Sequence, residues 1–542
     1  MAHDEAHDKA LDEHTINPTR AYWPADTSEP VLDQTIGAAL RAAARANGPG
    51  TALVEGTFDA NRRRWTFLEL LAASEKVASA LLARFARGEH VAIWAANCPE
   101  WLLVEFGAAL AGITLVTVNP NYLSHELAYV LGQSRASGVL VQPDYHSRNL
   151  LEVVEQSDLP HVREIISLSA WDDFMACASA DALPDVRPDD IAQIQYTSGT
   201  TGFPKGALLT HRGLANNGRL YARAIGAGVR DVWINPMPLF HTAGCGLATL
   251  GALQTGGVQV LPSAFDPAAM LALLQAERGT IMLCVPTMLI RMLDHPDAAT
   301  RDVSSWRLVT LGGAPVPPEL VRRAEKDFGV KVAIGYGQTE ASPYVSHSLP
   351  DDPNPDWIST VGRPLPQTEV KVIDPSSGET LPVSCVGEIC ARGYGLMAGY
   401  FNNPGATAEA LDHDGWLHTG DLGSMDPQGY LTIQGRLKDM IIRAGENIYP
   451  REIEDLLFTH PDIANAAVVG IPDREWGEVV AAFVQTRPGC ELTDDALTCF
   501  CRRHLASYKV PRVWRFVEQF PRTASGKIQK FVLREQYLAE KD

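Results

Sequence analysis

Short apolar runs alternate with helical patterns over more than half of this chain, and that alternation leaves few possible folds. The runs occupy residues 91–95, 138–141, 191–195, 258–261, 281–285 and 307–311. Segments with helical periodicity lie between them, and two of these open at Asp266-Pro267 and at Pro317-Pro318, which is how helices often begin. The alternation is typical of βα units, so it predicts an α/β fold whose parallel sheets are covered by helices on both faces.

The pattern changes twice further along the chain. Residues 361–434 show alternating strand-like segments broken by Gly, Asn and Pro, which predicts a small antiparallel, barrel-like subdomain. Residues 439–542 predict strands near 440–443, 466–470 and 479–485, with helices from Pro450 and over 493–504. We therefore expect a flexible tail over 1–30, a large N-terminal domain over 31–435 that includes the barrel-like part, and a small α+β C-terminal domain.

Composition excludes several classes of function. The 542 residues carry a formal net charge of −19, which disfavours binding to nucleic acid, and an anionic substrate would need a local positive site. No apolar run is long enough to cross a bilayer, so we expect no integral membrane association. Nine scattered cysteines predict reduced, mostly buried thiols, and the acidic N-terminus lacks the early positive charge of a targeting peptide. Both features favour a cytoplasmic enzyme.

The strongest local motif is YTSGTTGFPKGA at residues 196–207, which follows an apolar strand and is expected to precede a helix. Glycines allow backbone N–H groups to turn toward an anion, while hydroxyls donate hydrogen bonds and a lysine supplies charge. The predicted phosphate-binding residues are Thr197, Ser198, Gly199, Thr200, Thr201, Gly202 and Lys205. The Walker pattern of P-loop kinases is missing from the sequence, so this loop belongs to another class of nucleotide enzyme.

Six sequence blocks occur in one order between Tyr196 and Lys527. They are YTSGTTGFPKGA, PLFHTAG, GYGQTE, GWLHTGDLG, GRLKDMIIRAGENIYPREIE and RTASGK. Together they resemble the adenylate-forming superfamily of acyl-CoA synthetases, adenylation domains and beetle luciferases. The stretch GYGQTEASP, followed by VGRPLP, is most similar to the medium-chain acyl-CoA synthetase branch. The resemblance implies that an acid and ATP form an acyl adenylate and pyrophosphate, after which the acyl group passes to a thiol.

The resemblance assigns the catalytic residues of the first step. Lys527 in RTASGK matches the lysine that bridges the substrate carboxylate and the α-phosphate, a role that suits a flexible ammonium group. Glu340 matches the carboxylate that binds Mg²⁺, and Thr339 contacts phosphate. We therefore expect Mg²⁺ as cofactor, with ATP as co-substrate.

Further positions match the nucleotide site of the superfamily. Asp421 and Arg436 match the pair that binds the ribose hydroxyls, as acceptor and forked donor. The adenine slot resembles the segment after Gly312, where small residues admit the base and a tyrosine stacks on it. Its predicted residues are Gly313, Ala314, Pro315, Tyr336 and Gly337.

The resemblance also implies an acyl pocket, a hinge and a CoA site. His241, Gly246 and Gly312 are assigned to the acyl pocket, with His241 gating the substrate rather than acting as a base. Residues 436–438 form the expected hinge, centred on Lys438, about which the small domain rotates between the two half-reactions. The predicted CoA contacts are Gly445, Trp476, Tyr508 and Arg512. Ala444 departs from the Gly-Gly-Glu-Asn pattern common among CoA ligases.

The leading hypothesis is an AMP-forming carboxylate–CoA ligase that acts on a medium-chain fatty or arylalkanoic acid. One alternative within the fold is an enzyme that loads a carrier-protein phosphopantetheine, and another is a luciferase-like oxygenase. A catalytically silent nucleotide-binding scaffold is the alternative from a different class. The expected partners are therefore a small carboxylic acid, ATP and CoA, and the oligomeric state is left open, a homodimer included.

Overall fold

A computed structural model of the chain describes residues 19–59, 61–179, 182–197, 204–443, 446–522 and 528–540. Within these ranges, six strands form a sheet that is parallel except for one strand at its edge. In spatial order the strands are Lys205–Thr210, Ile191–Thr197, Thr114–Val118, His90–Trp94, Gly138–Val141 and Glu164–Ser167. The runs predicted at 91–95, 138–141 and 191–195 are strands of this sheet.

A second sheet contains nine of the described strands, and six neighbouring strands in its middle run parallel. Antiparallel strands complete it at both edges. In spatial order the strands are Arg363–Pro364, Tyr344–His347, Lys331–Gly337, Leu308–Gly312, Ile281–Cys284, Val232–Ile234, Val258–Leu261, Thr51–Glu55 and Arg64–Thr66. The predicted α/β class is thereby confirmed.

The hydroxyl-rich motif lies differently from our expectation of a strand followed by a helix. Residues 205–210 form a strand that pairs antiparallel with Ile191–Thr197, so that Thr197 lies opposite Lys205. The helix His211–Ala224 begins after that strand, with the Thr210 side chain as its N-cap. Residues 207 and 209 are fully buried, and this burial against the neighbouring strand selects the extended conformation over the helical one. The motif is therefore the connection of a hairpin.

The remaining described strands form two larger sheets and a short hairpin of Asp144–Tyr145 with Arg148–Asn149. One sheet has the strand order Tyr22–Trp23, Thr368–Ile373, Gly387–Gly393, Leu417–Met425 and Leu431–Arg436. Its last two strands pair antiparallel, as the pattern of 361–434 predicts. The other has the order Glu446–Ile448, Ile441–Arg443, Gly477–Thr486 and Ile463–Asp473, with Val513–Phe516 beside Gly477–Thr486.

Helices cover the parallel sheets, and their ends follow local sequence signals. The helix Pro267–Ala276 starts at an Asp266 N-cap that accepts from the Ala269 N–H, and Phe67–Leu82 starts with a capping box of Thr66 and Glu69. The other described α-helices are Ile36–Asn47, Pro99–Ala111, Ser124–Gln133, Leu150–Gln156, Trp171–Ala176, His211–Ala224, Gly251–Thr255, Pro286–Leu293, Pro318–Phe328, Pro404–Ala410, Pro450–Phe458, Asp494–Arg502 and Lys530–Ala539. Short 3₁₀ helices are Leu168–Ala170, Pro296–Ala299, Thr339–Ala341, Trp357–Ser359 and Leu437–Asp439, and Ala243–Leu250 is a π-helix.

The contacts divide the chain into two units. The larger unit comprises the described residues of 23–370 and 391–418, and the smaller unit comprises the described residues of 19–22, 371–390 and 419–540. Two apolar clusters in the larger unit join the helices to the faces of the nine-stranded sheet, and a third lies on the six-stranded sheet. The smaller unit has its own core, built around residues Ile453, Val468, Val480 and Trp514.

All nine cysteines lie within the described residues and are free. Four are buried, but Cys177, Cys385 and Cys499 are exposed, so the expectation of mostly buried thiols was wrong. These exposed thiols lie on surface helices or loops. The spacing of cysteines along the sequence does not indicate which of them are buried. Among the described helices, none combines the length and the apolar character that a bilayer crossing requires.

A buried carboxyl group lies in the core of the larger unit. Glu105 is 2% exposed, and its Oε1 accepts a hydrogen bond from the Gln193 side chain at 2.8 Å. Gln193 in turn accepts from Gln195, which also donates to the Cys245 sulfur at 3.2 Å. Burial raises the pKa of Glu105 well above its ordinary value. The chain of amides therefore lies beside a carboxyl group whose charged form is disfavoured by burial.

We expect the substitution Glu105→Gln to flatten the pH dependence of stability. Because the pKa is raised in the folded state, the native protein binds more protons than the unfolded chain once the pH passes the ordinary pKa of Glu, so stability falls as the pH rises. Each pH unit in that window lowers the free energy of unfolding by up to about 1.4 kcal/mol. Urea unfolding at several pH values between 5 and 8 measures the slope. The exposed Glu155→Gln should retain the wild-type slope, and identical slopes for Glu105→Gln and wild type would contradict the assignment.

Candidate active site

Two neighbouring parallel strands end where the predicted adenine slot begins. Leu308–Gly312 and Lys331–Gly337 are paired so that Gly312 lies opposite Gly335. Gly313 follows with φ of +73°, a conformation that favours glycine, and residues 313–315 are exposed. Tyr336 is 9% exposed on the adjacent strand end. The structure therefore brings Gly313, Ala314, Pro315, Tyr336 and Gly337 to one edge, where open α/β sheets bind ligands.

Glu340 lies just beyond this edge, in the 3₁₀ helix Thr339–Ala341. The residue is 8% exposed. Its Oε1 accepts a hydrogen bond from the Tyr400 hydroxyl at 2.7 Å and another from the Thr197 hydroxyl at 3.3 Å. The candidate metal-binding carboxylate is thus held by two hydroxyl donors that come from separate chain segments.

Lys205 stands in the same group of side chains. Its ammonium nitrogen lies 5.2 Å from the centroid of the Tyr400 ring, a cation–π geometry. The strand pairing places Lys205 opposite Thr197. Thr197, Lys205 and Glu340, which the motifs assigned separately, are therefore brought together around Tyr400.

Tyr400 is a residue of this site that motif reasoning missed. It belongs to the segment GYFNNPG, to which the motifs assign no functional residue. Ala207 forms an isolated bridge with Tyr400, and the Phe401 N–H donates to the Gly206 carbonyl at 2.8 Å. The one sequence feature that could have indicated Tyr400 is an aromatic residue within a Gly- and Asn-rich segment. Its partners are far away in the sequence, so no local motif includes them.

Seven predicted site residues lie outside the described part of the chain. They are Ser198, Gly199, Thr200, Thr201, Gly202, Gly445 and Lys527. Their assignments stay predictions from the sequence.

Buried amides and hydroxyls hold the loop that carries His241. The Asn97 side chain donates to the Met237 carbonyl at 3.0 Å and accepts from the Leu239 N–H at 2.9 Å. The Thr117 hydroxyl donates to the Phe240 carbonyl at 3.0 Å. The His241 ring packs on Phe240, with ring centroids 4.4 Å apart. His241 is therefore presented by a loop whose backbone is fixed by side chains of the six-stranded sheet and its helices.

The other two residues assigned to the acyl pocket, Gly246 and Gly312, are buried. Gly246 lies in the π-helix Ala243–Leu250. This helix type is rare in proteins, but it often occurs at functional sites. A Cβ on Gly246 would lie 3.5 Å from Leu214, an ordinary contact. At Gly312 a Cβ would lie 3.0 Å from the Tyr344 hydroxyl, which is tighter than normal packing. The space that Gly312 leaves is therefore covered by Tyr344.

In the smaller unit, the two residues assigned to the ribose lie side by side. Asp421 and Arg436 are opposite each other on the antiparallel strands Leu417–Met425 and Leu431–Arg436. The Arg436 Nε lies 2.7 Å from the Asp421 Oδ1, with the Asp421 side chain 7% exposed and that of Arg436 41% exposed. One carboxylate and one guanidinium are thus presented together. Lys438 follows in the 3₁₀ helix Leu437–Asp439 and is exposed, as expected of a hinge.

The smaller unit also brings together the predicted CoA residues that the structure describes. Trp476 is flanked by two guanidinium groups, with Arg443 at 5.1 Å and Arg512 at 5.2 Å from its ring. The Arg443 Nη1 donates to the Tyr508 carbonyl at 2.5 Å. Arg443 was not among the predicted contacts, although its place in the block GRLKDMIIRAGENIYPREIE was visible. Arg512 is exposed and Arg443 is 6% exposed, so one exposed guanidinium and one buried guanidinium lie on the same aromatic ring, in a chain whose net charge is −19.

Comparisons with known proteins identify the family of the chain. The AMP-binding enzyme family matches residues 40–401, and the AMP-binding enzyme C-terminal domain matches residues 452–527. The mitochondrial medium-chain acyl-CoA ligase ACSF2 of Danio rerio is 37% identical over 563 residues, with 96% of this chain and 92% of that protein covered. A Rhodococcus jostii (strain RHA1) protein, 3-[(3aS,4S,7aS)-7a-methyl-1,5-dioxo-octahydro-1H-inden-4-yl]propanoyl:CoA ligase, is 35% identical, with 93% and 98% covered.

A solved structure gives the same answer for the fold. ATP-bound MatB from Rhodopseudomonas palustris matches with a TM-score of 0.85 and 30% identity, with 93% of this chain and 99% of that chain covered. The match extends over the large and the small domain, and it agrees with the motif order read from the sequence. The chain therefore belongs to the AMP-binding enzyme family, among the acyl-CoA synthetases of the adenylate-forming superfamily.

Proposed function

We propose that this AMP-forming acid–CoA ligase activates a medium-chain or arylalkanoic acid with an uncharged tail as its adenylate. It then transfers the acyl group to free CoA. The observation that carries the proposal is the group of Thr197, Lys205, Glu340 and Tyr400. It combines a cation, an anion and hydroxyl donors beside the end of a parallel sheet. Such groups are needed to bind a carboxylate and a triphosphate next to each other.

Adenylation needs the charge of the reacting groups to be offset. The substrate carboxylate must approach the α-phosphate, and both are anions, so cations must converge on them. Lys205 supplies one positive charge at the hairpin, and Lys527 is proposed to bridge the two reacting groups. A carboxyl oxygen attacks the α-phosphorus, pyrophosphate leaves, and the acyl group becomes attached to AMP through a mixed anhydride.

The residues around Glu340 suit a magnesium ion. Mg²⁺ prefers oxygen ligands and usually takes one or two carboxylates together with substrate phosphates. Glu340 offers a buried carboxylate whose Oε1 is already oriented by two hydroxyls. When bound with ATP, the ion would offset phosphate charge, and Glu340 would be its protein ligand.

The acid class follows from the apolar cluster beside the π-helix. Leu247, Tyr221, Met237 and Tyr344 belong to this cluster, which lies against the nine-stranded sheet near Gly312. An uncharged tail is stabilised there, whereas a second carboxylate would pay the desolvation cost of a buried charge. Two relatives are named for acids with such tails, a medium-chain acid and a bicyclic propanoic acid.

The acceptor is proposed from the smaller unit. The Arg443–Trp476–Arg512 group offers two guanidinium groups and an aromatic face, which suit the phosphates and the adenine ring of CoA. Lys438 is proposed as the hinge that exchanges this surface for Lys527 between the half-reactions.

Two assays test the proposed function directly. Acid-dependent exchange of labelled pyrophosphate into ATP measures the first half-reaction, and mass spectrometry of acyl-CoA measures the complete one. A panel of C6 to C12 fatty acids and phenylalkanoic acids should support both. Exchange without any acyl-CoA would remove CoA as the acceptor, and no exchange with any acid would overturn the proposal.

We expect Tyr400→Phe to slow pyrophosphate exchange about tenfold, which corresponds to about 1.4 kcal/mol. The phenylalanine ring retains the contact with Lys205, so the substitution removes the hydroxyl that orients Glu340. Tyr145→Phe, on a distant hairpin of the same unit, is the control and should leave the rate unchanged. If Tyr400→Phe exchanges pyrophosphate at the wild-type rate, the hydroxyl does not position the carboxylate.

We expect Lys527→Ala to abolish pyrophosphate exchange but to spare thioester formation from a supplied acyl adenylate. The bridging ammonium acts during attack on ATP, and it has no role once the adenylate exists. Rapid-quench measurement of acyl-CoA from synthetic adenylate separates the two half-reactions. Equal loss of both would contradict the proposed rotation about Lys438.

We expect Arg512→Ala to raise the KM for CoA about tenfold while leaving pyrophosphate exchange unchanged. The guanidinium is proposed to meet a CoA phosphate, and removing one charged hydrogen bond has that size of effect. Arg502→Ala, at the end of the helix Asp494–Arg502, is the matched control. A similar rise in both arginine variants would indicate a general charge effect rather than a binding site.

A further inference from the structure

A histidine lies at the inner end of the apolar cluster beside the π-helix. His347 is 4% exposed, on a strand that runs antiparallel to Lys331–Gly337, and it lies opposite Gly335. Its ring is 5.2 Å from that of Tyr221 and 5.7 Å from that of Tyr344. Neither ring nitrogen makes a hydrogen bond of normal geometry to the residues that the structure describes, and the Ser348 backbone is the one polar group near enough to oppose the lowering of the ring's pKa.

Such a histidine is costly for a protein that uses it only for packing. Each buried polar atom without a partner costs about 1–3 kcal/mol, and native proteins satisfy nearly all of them. The hydroxyl of the neighbouring Tyr221 does not serve the ring, because it donates to the Thr310 hydroxyl at 2.9 Å. Burial also lowers the pKa of His347 to about 3, so the ring is neutral, with one donor nitrogen and one acceptor nitrogen.

The position of His347 connects it with the acid rather than with the nucleotide. The strand Lys331–Gly337 passes His347 at Gly335 and leads directly to Tyr336 and Glu340. On the same side, the Tyr344 ring fills the space over Gly312 and Gly335, since a Cβ on Gly335 would overlap it. Leu247 of the π-helix belongs to the same cluster as Tyr344. A tail that leaves the reacting carboxylate toward this cluster would meet the Tyr344 ring, and the imidazole lies beside that ring, with the two ring centres 5.7 Å apart.

We propose that His347 is a specificity-determining residue that hydrogen-bonds an uncharged keto or hydroxyl oxygen on the tail of the acid, so that the enzyme prefers such acids to unsubstituted ones. The inference rests on the proposed function, because it concerns the acid of that reaction. A keto oxygen takes the N–H of the neutral ring, and a hydroxyl group can use either nitrogen. A carboxylate or ammonium on the tail would be rejected, since a neutral imidazole in an apolar cluster does not offset a full charge.

Two matched pairs of acids test the proposal with the full-length enzyme. They are octanoate with 7-oxooctanoate, and 3-phenylpropanoate with 3-(4-hydroxyphenyl)propanoate. Acid-dependent release of pyrophosphate at saturating ATP and CoA gives kcat/KM for each acid. We expect wild type to prefer the oxygen-bearing member of at least one pair by tenfold or more, because a site built to hydrogen-bond a substrate group discriminates strongly against the analogue that lacks it.

The variant His347→Leu should lower that preference to about one while it retains or increases activity on the plain acid. His347→Gln keeps a donor and an acceptor and should retain part of the preference. The matched control is His211→Leu, which removes another buried imidazole, one whose pKa is likewise lowered by burial and whose Nδ1 has no partner among the described residues. The control should keep the wild-type preference.

Thermal unfolding separates a structural role from a substrate-binding one. We expect the melting temperature of His347→Leu to stay equal to or rise above that of wild type, since two unpaired nitrogens are removed. A lower melting temperature with an unchanged preference would show that the ring is satisfied by water and acts in packing, which overturns the proposal. A wild-type preference near one for both pairs overturns it as well. If no acid supports pyrophosphate exchange, both this inference and the proposed function are wrong. If plain acids are activated and neither pair shows a preference, only this inference is wrong.

Discussion

The hydrogen bond from the Tyr400 hydroxyl to Glu340 joins two of the three segments of the larger unit that meet at the candidate site. The segment around Tyr400 is fixed to the strand Lys205–Thr210 by backbone bonds, including Leu208 N–H to the Gly399 carbonyl at 2.9 Å. It is also fixed to the Glu340 turn, because the Met397 N–H donates to the Glu340 carbonyl at 2.8 Å. A carboxylate and an ammonium group from distant parts of the chain therefore share one support. Movement of that support would displace both charges together.

Aromatic rings hold the cations at both candidate binding surfaces. Lys205 lies over Tyr400 in the larger unit, and Arg443 and Arg512 lie on Trp476 in the smaller one. A ring orients a cation without neutralising it, and at Trp476 the Asp473 carboxylate is also near enough to interact electrostatically with both arginines. In a chain with a net charge of −19, this is an economical way to present positive groups to phosphates. Asp421 and Arg436 follow the other arrangement and form an ion pair, and the hydroxyls predicted to bind there carry no charge.

Sequence patterns predicted the layered sheets because each apolar run is long enough to form one buried strand. The same reasoning failed at residues 205–210, where four apolar or small residues are consistent with either a strand or the start of a helix. Pairing with Ile191–Thr197 decides between them, and that pairing is a tertiary contact. Motif blocks placed Glu340 and Lys205 in the site, but Tyr400 and His347 have no motif of their own. Their roles arise from partners that only the folded chain brings near.

Glu105 and His347 differ in how the fold accommodates a buried polar group. Glu105 accepts from Gln193 at one oxygen, and the amide chain continues to Cys245, whereas its other oxygen has no partner among the described residues. Around His347 the described neighbours are aromatic and apolar, and the Tyr221 hydroxyl is turned toward Thr310. A network that is internally supplied stabilises a core, whereas a polar group left without partners is costly to folding and is retained when a ligand supplies them. This difference in surroundings is why we assign Glu105 to the architecture and His347 to the substrate.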